Sequence, residues 1–303
     1  MSNLHLVDSE LVPLAEGFPV LNLNAERLPI IRDMLAGMIQ LNDPSEYGAT
    51  RQEVTIPGDE TRCLLYAPQM IKGPLPILLH FHGGGYVLGA PEDCDAQSLR
   101  IVSALGIMVL SVDYKLAPEN VYPSAVDQTY GVLGWIHQNA DALGVDPSRV
   151  AVGGDSAGGG LAASLVLKAC QEGEYPIAFQ HLVYPMLDPS TKATDGLGAF
   201  IWTAEDNAYG WQSYLGSHDP ACPSLPINAP DLSGLPPTWI GIGDLDLFLP
   251  ENQAFASRLE AAGVSVEMKT YVGGIHGFPG AKGTQISERF YSDYLRALKA
   301  GLE

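Results

Sequence analysis

The sequence is poor in positive charge. Its 303 residues carry 16 Lys and Arg against 35 Asp and Glu, a formal net charge of −19. A surface of that sign repels phosphate backbones and anionic headgroups, so neither nucleic acid nor a membrane is an expected partner. The acidic excess is read as a solubilising surface. Long apolar runs are missing as well: the longest, IVSALGIMVLSV, is too short and too polar to span a bilayer. The opening MSNLHLVDSELVPL lacks a basic segment followed by a sustained apolar stretch, which argues against a secretory signal. Four cysteines occur (Cys63, Cys94, Cys170, Cys222), scattered and without metal-ligand spacing. In a chain of this length they read as reduced thiols of a cytoplasmic protein, not as a disulfide framework. No repeat and no low-complexity segment stands out.

What the chain has in quantity is apolar residues, 46%, with 33 Gly and 23 Pro. That composition suits a sizeable core with many ordered turns. NAERLPIIRDMLAGMIQL places Leu28, Ile31, Leu35 and Met38 at helical spacing, which predicts an amphipathic helix near the N-terminus. QEVTIP and TRCLLYAP, bounded by Pro and Gly, predict an antiparallel strand pair. From Pro76 the pattern changes. Apolar strands PILLHFH, IMVLSVDY, RVAVGGD, FQHLVYP, TWIGIGD and finally SVEMKTY recur, most of them separated by segments of helix length. Such alternation predicts an α/β fold with a mostly parallel central sheet and helices on both faces. Residues 188–235, rich in Pro, Gly and Trp, hold no strand pattern and are too long for a plain connection, so they read as an inserted cap or lid.

The chemistry centres on VAVGGDSAGGGLAAS. A phosphate-binding P-loop needs a Lys followed by Ser or Thr after its last glycine, and a dinucleotide fingerprint needs G-x-G-x-x-G; neither is present. The G-x-S-x-G spacing of Gly154, Asp155, Ser156, Ala157 and Gly158 is present, between a strand and a helix. That is the known nucleophile-elbow template of α/β-hydrolases. A serine thrown out at such a turn takes a strained backbone and needs very small neighbours. The helix N-terminus behind it offers a free N–H and a positive dipole end to a developing oxyanion. Upstream, HFHGGGYVLG follows a strand at the place of an oxyanion loop, where Gly83, Gly84 and Gly85 leave their N–H groups unobstructed. His82 reads as a buried, hydrogen-bonded support of that loop. His80 and His82 share a strand face, as a metal pair would, but no third ligand at suitable spacing is visible; zinc stays an alternative, while the expectation is neither metal nor cofactor.

The template order is Ser, then acid, then His. Of the histidines after Ser156, His181 lies within a strand and His218 within the lid. His276, in YVGGIHGF, follows the last strand near the carboxyl edge of the sheet. The acid closes TWIGIGD, where Asp244 and Asp246 share strand parity, so periodicity leaves both open.

Taken together, HGGGYVLG, SVDYKLAPE, YPSAVDQ, DPSRVAVGGDSAGGGLAA, LVYP, GDLDLF and IHGF resemble the hormone-sensitive-lipase-like family of α/β-hydrolase esterases, in its branch with a GDSAG elbow. The resemblance runs through most of the chain. It implies that Asp246 is the acid and that the oxyanion donors are the N–H groups of Gly83, Gly84 and Ala157. It also implies a cap made of the N-terminal region and part of the insertion. The expected division is thus 1–50 for the N-terminal cap region, 51–187 with 236–303 for the hydrolase core, and 188–235 for the lid. One departure is visible: where the family often has histidine before the aspartate that opens the next helix, PEDCDAQ has Cys94.

The activity so implied is hydrolysis of short- to medium-chain acyl esters by Ser156, His276 and Asp246, with a small-molecule ester as substrate. Two rivals stay open: an amidase or arylformamidase using the same three residues, and a ligand-binding protein on the same fold that has lost catalysis. Matched ester and amide substrates separate the first; affinity without turnover would reveal the second. Phe200, Trp202, Tyr209, Trp211 and Tyr214 cluster in the lid, either to line a pocket or to dock a lid helix. The last strand, VEMKTY, is read as a sheet edge through which two chains could pair into a homodimer.

Overall fold

The computed structural model describes residues 3–194 and 196–303. Residues 1 and 2, in the predicted N-terminal cap, and residue 195, in the predicted lid, lie outside the described residues. Two short helices open the chain, α1 (Val12–Gly17) and α2 (Leu28–Ala36), followed by β1 (Ala49–Ile56), β2 (Thr61–Pro68) and β3 (Leu75–Phe81). Next come α3 (Asp95–Leu105), β4 (Met108–Val112), α4 (Ser124–Gln138), α5 (Ala140–Leu143), β5 (Val145–Asp155) and α6 (Ala157–Glu172). The chain continues through β6 (Phe179–Val183), α7 (Ala204–Leu215), β7 (Thr238–Gly243), α8 (Leu249–Ala261), β8 (Val266–Tyr271) and α9 (Gln285–Gly301).

The strands form one eight-stranded sheet in the order β1-β2-β4-β3-β5-β6-β7-β8. Only β2 pairs antiparallel, with β1 on one side and β4 on the other; every later pairing is parallel. The reason is in the residues. Strands β3, β4, β6 and β7 are buried along nearly their whole length, so both faces need cover. Helices α3 and α9 pack together over one face, while α4 and α6 pack together over the other, where α8 also lies against the 3-10 turn that α6 contacts.

Two details depart from the periodicity. Met38 lies beyond the end of α2, which stops at Ala36 with Gly37 as its cap, and is 63% exposed. Strand β1 begins at Ala49, inside the stretch assigned to the N-terminal cap. The N-terminal segment and the insertion are tied to each other: Leu23 N–H donates to Asp206 Oδ1 at the head of α7 (2.7 Å). Arg32 in α2 reaches the core, donating to the carbonyls of Val87 and Ala117 at 2.8 Å each.

Candidate active site

Strand β5 ends at Asp155 and α6 starts at Ala157, leaving Ser156 alone to make the turn. Its backbone sits at φ 56°, ψ −118°, a region that side chains rarely enter and that costs roughly 1–3 kcal/mol. The surroundings hold it there. Ser156 N–H donates to the Val183 carbonyl (2.9 Å), and the Ser156 carbonyl accepts from Gly160 and Met186 N–H (3.0 and 2.9 Å). A Cβ on Gly158 would overlap the Phe81 carbonyl, so β3 and α6 can approach this closely only with glycine there.

From the far edge of the sheet, the turn after β8 brings His276 over Ser156. The hydroxyl of Ser156 donates to His276 Nε2 at 3.0 Å, and His276 Nδ1–H donates to Asp246 Oδ2 at 2.8 Å. Asp246 is fully buried, and its other oxygen accepts Phe248 N–H at 2.9 Å. Asp244, equal in parity, instead accepts Gly273 N–H at 2.7 Å and ties the strand ends together. The carboxylate fixes the proton on Nδ1 and leaves the Nε2 lone pair facing the serine. The imidazole, 7% exposed, is walled by Tyr184 and Phe248 with ring centroids at 4.6 and 5.3 Å. His181 is engaged elsewhere, with Nε2 donating to the Tyr294 carbonyl, as is His218, whose Nδ1 donates to Leu215.

The glycine loop lies on the other side of Ser156. A Cβ on Gly83 would stand 3.5 Å from Ser156 Cβ. Gly84 has φ +119°, and a side chain there would overlap the Leu88 carbonyl. Gly85 leaves room for the Trp202 ring. Among the described residues, the N–H groups of Gly83, Gly84 and Ala157 donate to no protein acceptor. Three unengaged donors thus border the serine. His82 is buried, stacks on Tyr114 at 4.2 Å, and donates from Nδ1 to the Gly83 carbonyl at 2.8 Å. Burial lowers its pKa, so it stays a neutral strut.

The histidine pair does not converge on a common ligand position. While His82 serves the loop, His80 stands instead with Cys94 and Asp155. These partners are remote in sequence, which is why spacing does not reveal them. Burial pushes the Asp155 carboxyl up to about 7, against the pull of Gln97 and His276.

A cleft of about 940 Å³ adjoins the site. Its walls include Asp155, Tyr184 and Gly277, the neighbours of the serine and the histidine, together with Leu35, Met38 and Tyr47 of the N-terminal segment. None of the five aromatics of the insertion (Phe200, Trp202, Tyr209, Trp211, Tyr214) borders it. Trp211 and Tyr214 dock α7 onto Tyr86, at 5.3 and 3.9 Å between centroids, and Trp202 covers Gly85. Sequence reasoning missed Glu251, a buried carboxylate that accepts the N–H groups of Leu187 (2.6 Å) and Asp188 (3.3 Å) where the insertion leaves the core. An acidic residue in the first turn of α8 carries no signal of that role.

Residues 78–280 match the profile of a family with the alpha/beta hydrolase fold. The chain belongs to that family. It falls in the hormone-sensitive-lipase-like group of these hydrolases, as the resemblance implied. This α/β-hydrolase is 33% identical over 289 residues to carboxylesterase NlhH of Mycobacterium tuberculosis, covering 90% of this chain and 88% of that protein. Among solved structures it is similar to a bacterial heroin esterase, with TM-score 0.91, 35% identity and coverage of 100% of both chains. It is also similar to esterase LipW from Mycobacterium marinum, with TM-score 0.88, 30% identity and coverage of 98% and 96%.

Proposed function

We propose that this carboxylic ester hydrolase cleaves short- to medium-chain acyl esters through an acyl-enzyme on Ser156. The observation that carries the reading is the continuous relay from Asp246 through His276 to Ser156, at 2.8 and 3.0 Å. His276 Nε2 takes the serine proton as Oγ attacks the ester carbonyl, and then returns it to the leaving alcohol. Asp246 holds the ring and stabilises its charged form. The N–H groups of Gly83, Gly84 and Ala157 receive the oxyanion, and their lack of other acceptors supports that assignment. Water then enters by the same route in reverse and frees the acid.

Ester rather than amide is favoured because the relatives reported above are named esterases. Residues 1–50 and 188–235 act as the cap, and the adjoining cleft receives part of the substrate. The four unpaired cysteines support a reducing, cytoplasmic setting. Ser156→Ala tests the nucleophile: nitrophenyl acetate or butyrate turnover should fall roughly 10⁴–10⁶-fold. Turnover within a few-fold of the unaltered protein would refute it. Profiling esters of increasing acyl length should show a maximum at short to medium chains; a maximum at long chains with activation at an oil–water interface would mark a lipase instead.

A further inference from the structure

Behind the elbow, on the sheet face covered by α3 and α9, lies a second cluster of donor atoms. The β3–β5 register sets His80 beside Gly153, and Asp155, two residues on, shares that face. Cys94 closes the cluster from the 3-10 turn Pro91–Cys94 that leads into α3. One donor atom from each of His80, Cys94 and Asp155 lies within 4.8 Å of the others. His80 Nε2 stands 3.7 Å from Asp155 Oδ2. That is too long for a hydrogen bond and near the spacing of two ligands on a tetrahedral metal, about 3.3–3.8 Å. Although His80 is 1% exposed, neither of its ring nitrogens has a hydrogen-bond partner among the described residues. An imidazole sealed from water with both nitrogens idle is costly, and a bound cation would engage one of them.

We propose that His80, Cys94 and Asp155 form an inhibitory zinc site, completed by a water from the adjoining cleft. The mixed nitrogen, sulfur and carboxylate donors suit zinc, whereas calcium and magnesium require oxygen alone. Of the three ligands, Asp155 borders the cleft, beside Ala96 and Gln97. Burial keeps His80 neutral, with its pKa lowered to about 3, so a lone pair is free for the metal. It also holds the Cys94 thiol protonated and the Asp155 carboxyl up to about 7. Binding therefore releases the thiol proton and, below about pH 7, the carboxyl proton as well. Thiolate and carboxylate together neutralise the dication.

Inhibition follows from the neighbours. Asp155 lies next to Ser156 in the chain and within electrostatic range of His276. Zinc would set positive charge near the imidazole and fix the residue that leads into the elbow turn. This consequence rests on the roles proposed above for Ser156 and His276; the binding does not.

The test titrates the metal-free full chain. Zinc should bind at one per chain with proton release, and cobalt(II) should give a thiolate charge-transfer band in the near ultraviolet. That band should vanish in Cys94→Ala. Without metal, Cys94→Ala should match the unaltered protein in nitrophenyl ester turnover. With zinc, it should need at least about tenfold more metal for half-inhibition, the loss typical of removing even a residue behind a ligand. No thiolate band in the unaltered protein, or the same zinc response in both, would overturn the site. A band without inhibition would overturn its inhibitory role. Should Cys94→Ala fold poorly, Cys94→Ser and the cobalt spectrum of the unaltered chain still decide.

Discussion

Two buried acids of this molecule have opposite demands. In the proposed mechanism Asp246 serves as an anion, because the imidazole beside it carries positive charge while the ester is attacked. Asp246→Asn keeps the shape but favours the wrong tautomer of His276, so kcat should drop by roughly 10⁴ with KM little changed. A loss below tenfold in steady-state kinetics would remove Asp246 from the mechanism. Glu251 is costly as an anion: burial pushes its carboxyl from 4.5 up to about 8, despite the N–H groups it accepts. Between those values the folded chain holds a proton that the unfolded chain has released. The contribution of Glu251 is therefore largest at acid pH and fades as pH rises from about 4.5 to 8, by at most about 1.4 kcal/mol per unit. Glu251→Gln cannot titrate, so its melting temperature should lose less than that of the unaltered protein between pH 6 and 8. Equal losses would contradict the shift.

At the scale of elements, the strands were legible because β3 to β7 are apolar enough to need cover on both faces, and that need is written in residue type. The insertion 188–235 was legible only as an absence of strand pattern. Whether Trp211 and Tyr214 would line a pocket or dock a helix depended on Tyr86, far away in the chain, so no local reading could decide it. Strand β8 ends the sheet and leaves one side unpaired. An antiparallel pairing of two copies centred on Met268 would set Glu267 of each against Lys269 of the partner, an opposite-charge pair across the ladder. We predict a dimer of this kind: light scattering should give twice the chain mass, and Met268→Pro should halve it. A single-chain mass for the unaltered protein would discard the pairing.

For the molecule as a whole, the excess of 19 negative charges opposes compactness and any self-association alike. The surface ion pairs contribute little each. Raising salt from about 0.01 to about 0.15 M should therefore raise the melting temperature, because screening relieves repulsion more than it weakens attraction. A fall would show that the ion pairs dominate.

The sequence by itself determined the order of strands and helices, the candidate serine and histidine, and a glycine loop able to present N–H groups. These follow from periodicity and from residue types that few other turns tolerate. Strand parity left Asp244 and Asp246 equal, because it records only a face; the family resemblance implied Asp246, and the hydrogen bond to His276 falls on that residue. Nothing in the sequence signalled that His80 leaves His82 for Cys94 and Asp155, because a register between β3 and β5 is set by packing across the sheet. Only the tertiary structure decided such meetings, since they join residues whose separation along the chain bears no relation to their separation in space.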